Sequence, residues 1–292
     1  MEPPTDNLQE SDLNSAENCS QSESESADEI QEDESLPAAG DATNWLWLLT
    51  GPLVLPIAIL PVIYWMNASH VGFRWFLAGA VVWCVGVGLK VVCAGATYFF
   101  MKSCVEPIPV RPGRRLLIGS FYLGVLTGIF EVGTTYAAAR IWTSWAQGPE
   151  RAVAIGLGAG SWEAFLMAGV PMAWASLIAL LSPAHRMGIL SGLCSQRTAT
   201  IAPWLIIPVE RVLATLGHIS FRMLPLYAIA TGQIIYFWYG FLLATGFDAF
   251  AGWFQLSGRE GRVSHWWTTL AYATFALASI VIINWCYRHW PS

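Results

Sequence analysis

The sequence predicts an all-α polytopic membrane protein, a bundle of about seven transmembrane helices behind a disordered acidic N-terminal tail. Three observations carry this. The 292-residue chain is 55% hydrophobic and only 12% charged, too apolar for an ordinary soluble domain. Its apolar residues gather into runs of about 20, the length a helix needs to cross a bilayer. Charge is segregated: 13 of the 20 acidic residues lie within residues 1–41, which hold no Lys or Arg, so the remainder carries 7 acids against 15 bases and nets +8 although the chain as a whole is at −5.

Residues 1–43 form the tail. It is rich in Ser, Glu, Asp and Gln (S-E-S-E-S-A-D-E-I-Q-E-D-E-S) and lacks the apolar residues that would offset ordering entropy. No basic stretch precedes a short apolar core, so no cleaved signal peptide is expected and targeting relies on the first span. Residues 44–292 form the transmembrane domain. The six cysteines (Cys19, Cys84, Cys93, Cys104, Cys194, Cys286) make no C-x-x-C pair and read as small hydrophobes.

Seven segments occur in order. The first, about Trp45 to Met66, carries Pro52, Pro56 and Pro61 and predicts a kinked helix. The second, about Phe73 to Met101, is interrupted by Lys90. The third, about Leu116 to Trp142, contains Glu131, and the fourth, about Ala152 to Leu181, contains Glu163 and is long enough for a broken stretch around Gly156 to Gly160. The fifth runs from about Ile201 to Ile229. The sixth, about Ile234 to Phe254, carries Asp248, and the seventh runs from about Trp266 to Tyr287. Trp and Tyr near the segment ends read as interfacial belts. On the side of the N-terminus the loops collect Lys102, Arg111, Arg114, Arg115, Arg186, Arg197, Arg259 and Arg262, against Arg74, Arg140, Arg151 and Arg288 opposite. That bias predicts a cytoplasmic N-terminus in the inner membrane of a cell.

The fifth segment organises the rest. It reads I-P-V-E-R-V-L-A-T-L-G-H-I-S-F-R from Ile207 to Arg222. On a helix Arg211, Thr215, His218 and Arg222 share one stripe, with Glu210 about 100° away. Charges at membrane depth turn to a bundle interior, pair, and mark functional sites. Glu131 and Glu163 are expected to join them, with Lys90 and Arg222 either as counter-ions of Glu163 or snorkelling from a shallower depth, and Glu210–Arg211 as a structural pair. Matching small-residue faces, Ser120-Gly124-Gly128-Glu131 and Gly156-Gly160-Glu163-Met167, predict a tight contact between the third and fourth segments.

The strings T-G-I-F-E-V-G-T-T-Y, A-I-G-L-G-A-G-S-W-E-A-F-L-M-A-G and P-V-E-R-V-L-A-T-L-G-H-I-S resemble the motif segments of the YhfC-like family, grouped with the CAAX prenyl protease type of intramembrane endopeptidase. Glu131, Gly158, Gly160, Glu163, Glu210, Arg211 and His218 match that pattern. Val132 stands where the family carries a second acid, Thr135 where it carries Arg, Ala159 where it carries His and Ser161 where it carries Gly. A further family histidine is absent, leaving Asp248 alone. The resemblance implies hydrolysis of peptide bonds in membrane-embedded or membrane-proximal substrates, with Glu131, Glu163 and His218 as the catalytic candidates and Glu210, Arg211 and Asp248 as structural or substrate-binding residues.

Chemistry narrows the options. Zinc catalysis wants about three protein ligands and usually two histidines, whereas only His218 lies deep in a segment and no H-E-x-x-H occurs. No metal and no cofactor is expected. A glutamic-type centre would use a buried carboxylate beside a like-charged neighbour to activate water, the pair that Glu131 and Glu163 would form across the third and fourth segments, with His218 orienting the water or the oxyanion. The partners expected are the lipid bilayer and a membrane protein or peptide substrate; scattered bases give nucleic acid no support. Two other classes stay open: a catalytically dead relative acting as a membrane binding or scaffold protein, and a small-solute transporter.

Overall fold

The computed structural model describes residues 47–105, 112–182, 185, 189, 205–259 and 265–291. The acidic tail lies outside the described residues, as do Arg111, Arg186, Arg197 and Arg262 of the orientation count. After a short 3-10 turn at Trp47–Leu49 the helices are α1 (Thr50–Ser69), α2 (Arg74–Val105), α3 (Pro112–Thr127), α4 (Gly133–Ile141), α5 (Pro149–Glu163), α6 (Val170–Leu181), α7 (Ile206–Thr231), α8 (Ile235–Arg259) and α9 (His265–Arg288). Single π turns, Gly128–Val132 and Ala164–Gly169, join α3 to α4 and α5 to α6 into two continuous spans. Among the described residues the fold is therefore seven long helical rods without strands. Six are long and apolar enough to cross a membrane. The remaining rod, α8, has 25 residues and packs between α3 and α7.

Burial ranks the helices. In α7, 78% of the most apolar 18-residue window is buried, against 17–39% for the other five apolar spans. It is the central rod. Around it stand α5, α8 and α9, with α2 outside α5 and α3 outside α8. The outer helices turn Leu, Ile and Val outward: Leu60, Val91, Val92, Ile118, Leu242, Leu277 and Val281 are all exposed, as a bundle in lipid requires. Aromatic residues sit at the rod ends, where Trp142, Trp267 and Tyr64 are exposed and the Tyr227 hydroxyl donates to the His289 carbonyl at 2.9 Å.

The two glycine faces both serve close helix approach, but with partners other than those expected. On α5 a Cβ added to Gly156 would lie 2.5 Å from the Cα of Ile219, and one on Gly160 would lie 3.0 Å from the Cα of Thr215, both on α7. In the third span a Cβ on Gly128 would lie 2.5 Å from Thr245 Oγ1 of α8, and Ser120 lies opposite Gly252. The third and fourth spans thus use their small-residue faces on α8 and α7 instead of on each other. Spacing reveals that a face is small; it does not say which neighbour fills it.

The irregular stretch of the fourth span is also displaced. Gly156 to Gly160 is regular, buried helix, and the break is the π turn at Ala164–Gly169, immediately after Glu163. The other π turn contains Glu131 itself. Pro56 and Pro61 lie inside α1 as expected, and Pro225 inside α7. Cys84, Cys93 and Cys286 carry free thiols.

Candidate functional site

Three of the four residues in the α7 stripe reach one polar cluster. Arg211, His218 and Arg222 lie on the same face because their spacing matches the helix period. The Thr215 hydroxyl instead donates to the Arg211 carbonyl at 2.8 Å. Glu163, at the end of α5, is held from three sides. Its Oε1 lies 3.0 Å from Arg211 Nη1, and its Oε2 lies 2.7 Å from His218 Nε2 and accepts from Trp83 Nε1 at 2.9 Å. Glu131, in the first π turn, is 3% exposed. Its Oε1 lies 3.1 Å from Lys90 Nζ and its Oε2 3.0 Å from Arg222 Nη2.

Arg222 joins the two halves. Fully buried at 0% exposure, it donates from Nη2 to Glu131 and approaches His218 Nδ1 from Nη1 at 2.9 Å. A guanidinium can only donate. His218 Nδ1 is therefore the acceptor and bears no proton, so the ring is neutral and its Nε2–H points to Glu163. The two glutamates do not share a proton; a His–Arg bridge separates them.

Lys90 completes the network on the far side. Its three N–H bonds go to Glu131, to Thr127 Oγ1 at 3.0 Å and to Asp248 Oδ2 at 3.2 Å, and Thr127 in turn bonds Asp248. Asp248, on the amphipathic α8, thus reaches the same centre as the glutamates. Three carboxylates (Glu131, Glu163, Asp248) face three permanent cations (Lys90, Arg211, Arg222), so the cluster is balanced without further charge. Arg211 pairs with Glu163 across helices, while Glu210 is buried one position away on α7.

A cavity of about 290 Å³ opens against this network. Its wall is Trp83, Val87 and Lys90 from α2, Thr127 and Glu131 from the third span, Glu163 and Met167 from the fourth, His218 and Phe221 from α7, and Asp248 from α8. All three catalytic candidates line it, together with Asp248. Lys90, expected as a counter-ion, lines the wall. Trp83 and Thr127 were not legible as site residues, because they look like any aromatic or back-bonded hydroxyl in an apolar helix.

A profile of the YhfC intramembrane metalloprotease family matches residues 53–272, about three quarters of the chain. This chain belongs to the YhfC intramembrane metalloprotease family. The YhfC assignment agrees with the all-helical membrane fold and covers every residue of the cluster. No curated protein and no solved structure gives a significant match.

The family description implies a metal, and the residues present do not fit one. Among the described residues no three His, Cys, Asp or Glu side chains converge as a ligand set. A metal on His218 Nε2 needs its proton moved to Nδ1, where it would meet the Arg222 N–H 2.9 Å away. Glu131 already faces a cation on each oxygen and Glu163 has Arg211 on one oxygen and the His218 and Trp83 N–H groups on the other, and a further divalent charge would leave the cluster positive in a medium of low dielectric.

Proposed function

We propose that this YhfC member works on membrane-embedded or membrane-proximal peptides through a glutamate and histidine centre that uses no metal. The observation carrying the reading is that Glu131, Glu163 and His218, distant in sequence, line one cavity inside the bundle. An ionised carboxylate has about four acceptor sites. Glu163 has three of them filled, whereas each oxygen of Glu131 has one partner and keeps a site for water. Glu131 is then the general base, Glu163 and Arg222 hold the His218 ring, and His218 reaches the water or the scissile carbonyl by giving up its Nε2–H bond to Glu163. The developing oxyanion needs a donor. Lys90 is the flexible cation in the wall that can supply one by releasing Thr127 or Asp248. The Lys/Arg loop bias supports an N-terminus on the cytoplasmic side of an inner cell membrane.

The test is cleavage of a membrane-peptide library by purified protein, with the products read by mass spectrometry. Cleavage by the natural protein and its loss in Glu131→Gln support the reading. Equal cleavage by the variant removes Glu131 from the role of base.

A second reading is favoured by a specific observation. Every side-chain donor in the cavity wall is already bonded to a carboxylate or hydroxyl of the same wall, and the family histidine positions hold Ala159 and no counterpart near Asp248. A centre in this state binds without cutting, and no cleavage by the natural protein under any condition of the same assay identifies it.

A further inference from the structure

Away from the central cavity, an apolar groove of about 460 Å³ lies between α1 and α9. Pro61 and Tyr64 of α1 form one side and Ile280, Ile283 and Asn284 of α9 the other. The buried Leu157 of α5 and Ile219 of α7 form its floor. The groove ends on two aromatic rings that also line it, Trp65 of α1 and Tyr287 of α9, which meet edge to face at 6.4 Å. Both turn their polar ends to one residue. The Trp65 indole donates to the main-chain carbonyl of Glu150 at 3.2 Å, and the Tyr287 hydroxyl donates to Glu150 Oε1 at 2.9 Å. Beyond the rings a second cavity of about 750 Å³ opens, lined by Gly148, Glu150, Ile229, Ala230, Tyr287 and Trp290. Neither space shares a residue with the central cavity.

The outer cavity favours a cation. Among the described residues Glu150 makes no ion pair. The neighbouring Arg151 is engaged elsewhere: its Nη1 goes to the Ser144 carbonyl and to Gln147 Oε1, and its guanidinium lies over Trp75. An ionised carboxylate has about four acceptor sites, of which Tyr287 takes one. Oε2 lies against Gly148, where an added Cβ would come within 3.1 Å of it. The N-terminus of α5, with Glu150 in its first turn, opposes the carboxylate with only about half a unit of positive charge. Ile229 and Ala230 bring the C-terminal end of α7 to the same wall, where the last carbonyls lack helical partners and the dipole is negative. The Tyr287 and Trp290 rings add faces that attract a cation. Acceptors of this kind want N–H donors, so a primary ammonium fits and a trimethylated one does not.

The groove says what carries the ammonium. From Ile280 to Tyr287 it follows about 10 Å of α9, so its cross-section is about 45 Å², roughly half that of a helix about 10–12 Å across. A hydrocarbon chain enters such a slot and a transmembrane helix does not. Asn284, one turn from Tyr287, is the polar exception in this apolar wall, and its amide makes no hydrogen bond to a described residue. We propose that α1 and α9 hold a membrane lipid with a primary ammonium head, an ethanolamine phospholipid in class. Its acyl chain lies in the groove, an ester carbonyl accepts from the Asn284 amide, and the ammonium donates to Glu150 Oε2.

The experiment delipidates the full chain in an uncharged maltoside and offers it phosphatidylethanolamine, phosphatidylcholine and phosphatidylglycerol in equal amounts. The three share phosphate and chains and differ in the head. Native mass spectrometry counts the lipid retained. Phosphatidylethanolamine retained about tenfold over each of the others, a difference near 1.4 kcal/mol, with the preference lost in Glu150→Gln at unchanged thermal midpoint, supports the proposal. Ile280→Trp, which fills the groove without touching Glu150, is expected to lower that retention at least fivefold. Equal retention of the three lipids, a preference that survives Glu150→Gln, or retention unchanged by Ile280→Trp overturns it. Equal binding of free phosphoethanolamine would assign the cavity to a soluble amine, and displacement by a lysine-ended transmembrane peptide at equal concentration would assign the groove to a helix; either overturns the lipid. A peptide-cleavage result of either sign leaves this measurement intact, so the two readings fail separately.

Discussion

Arg222 holds two partners with one guanidinium, and its own Nε is buried without a partner. Removing it would leave Glu131 with Lys90 alone in a site 3% exposed, and breaking one side of a buried pair costs about 3–5 kcal/mol. Arg222→Met is therefore expected to unfold markedly earlier in a denaturant titration monitored by circular dichroism. Adding Glu131→Gln to it removes the orphaned charge and should recover a large part of the loss. A double variant no better than Arg222→Met would show that the ion pair is not what Arg222 stabilises. Trp83 makes a smaller point at the same scale. Trp83→Phe keeps an aromatic ring but withdraws one of the three donors on Glu163, and its effect should appear as a modest loss of stability.

The elements place these residues by two devices. One is glycine at the closest helix approaches. Gly156→Leu pushes a side chain into the Ile219 backbone and should cost about 1–3 kcal/mol by overpacking. Gly133→Ala, where an added Cβ meets nothing within 4 Å, is the control that should cost nothing measurable in the same thermal scan. The other device is the π turn. One extra residue per turn rotates the downstream part of the rod by about 100° relative to a regular helix. In the third span this happens around Glu131 and in the fourth just after Glu163, and Glu131, Glu163 and Met167 all line the cavity.

Across the whole molecule the network ties four rods to α7: α2 through Lys90 and Trp83, the third span through Glu131, the fourth through Glu163, and α8 through Asp248. Its charges balance internally, which leads to an expectation for the purified protein. Elemental analysis should find well under one zinc per chain, and a strong chelator should leave the thermal midpoint within about 2 °C, since a structural metal would contribute far more than that shift. Stoichiometric zinc with a chelator-induced drop would overturn the metal-free centre. Removal of residues 1–43, whose composition cannot offset the entropy of ordering, is likewise expected to leave the midpoint unchanged.

Composition and run length alone decided that this chain is a helical membrane bundle, because a bilayer admits few alternatives to apolar helices of about 20 residues. The motif strings led to the family, and the i, i+4, i+7, i+11 stripe led to Arg211, His218 and Arg222, since helix period is a local property. Only the tertiary structure decided which partners those groups take. Arg211 goes to Glu163, Arg222 comes between Glu131 and His218, Gly128 serves α8, and the Trp83 indole joins the centre. The reason is physical: a buried charge takes whichever opposite charge the packing of separate rods brings within about 3 Å, and that packing is not written in the spacing of any one rod.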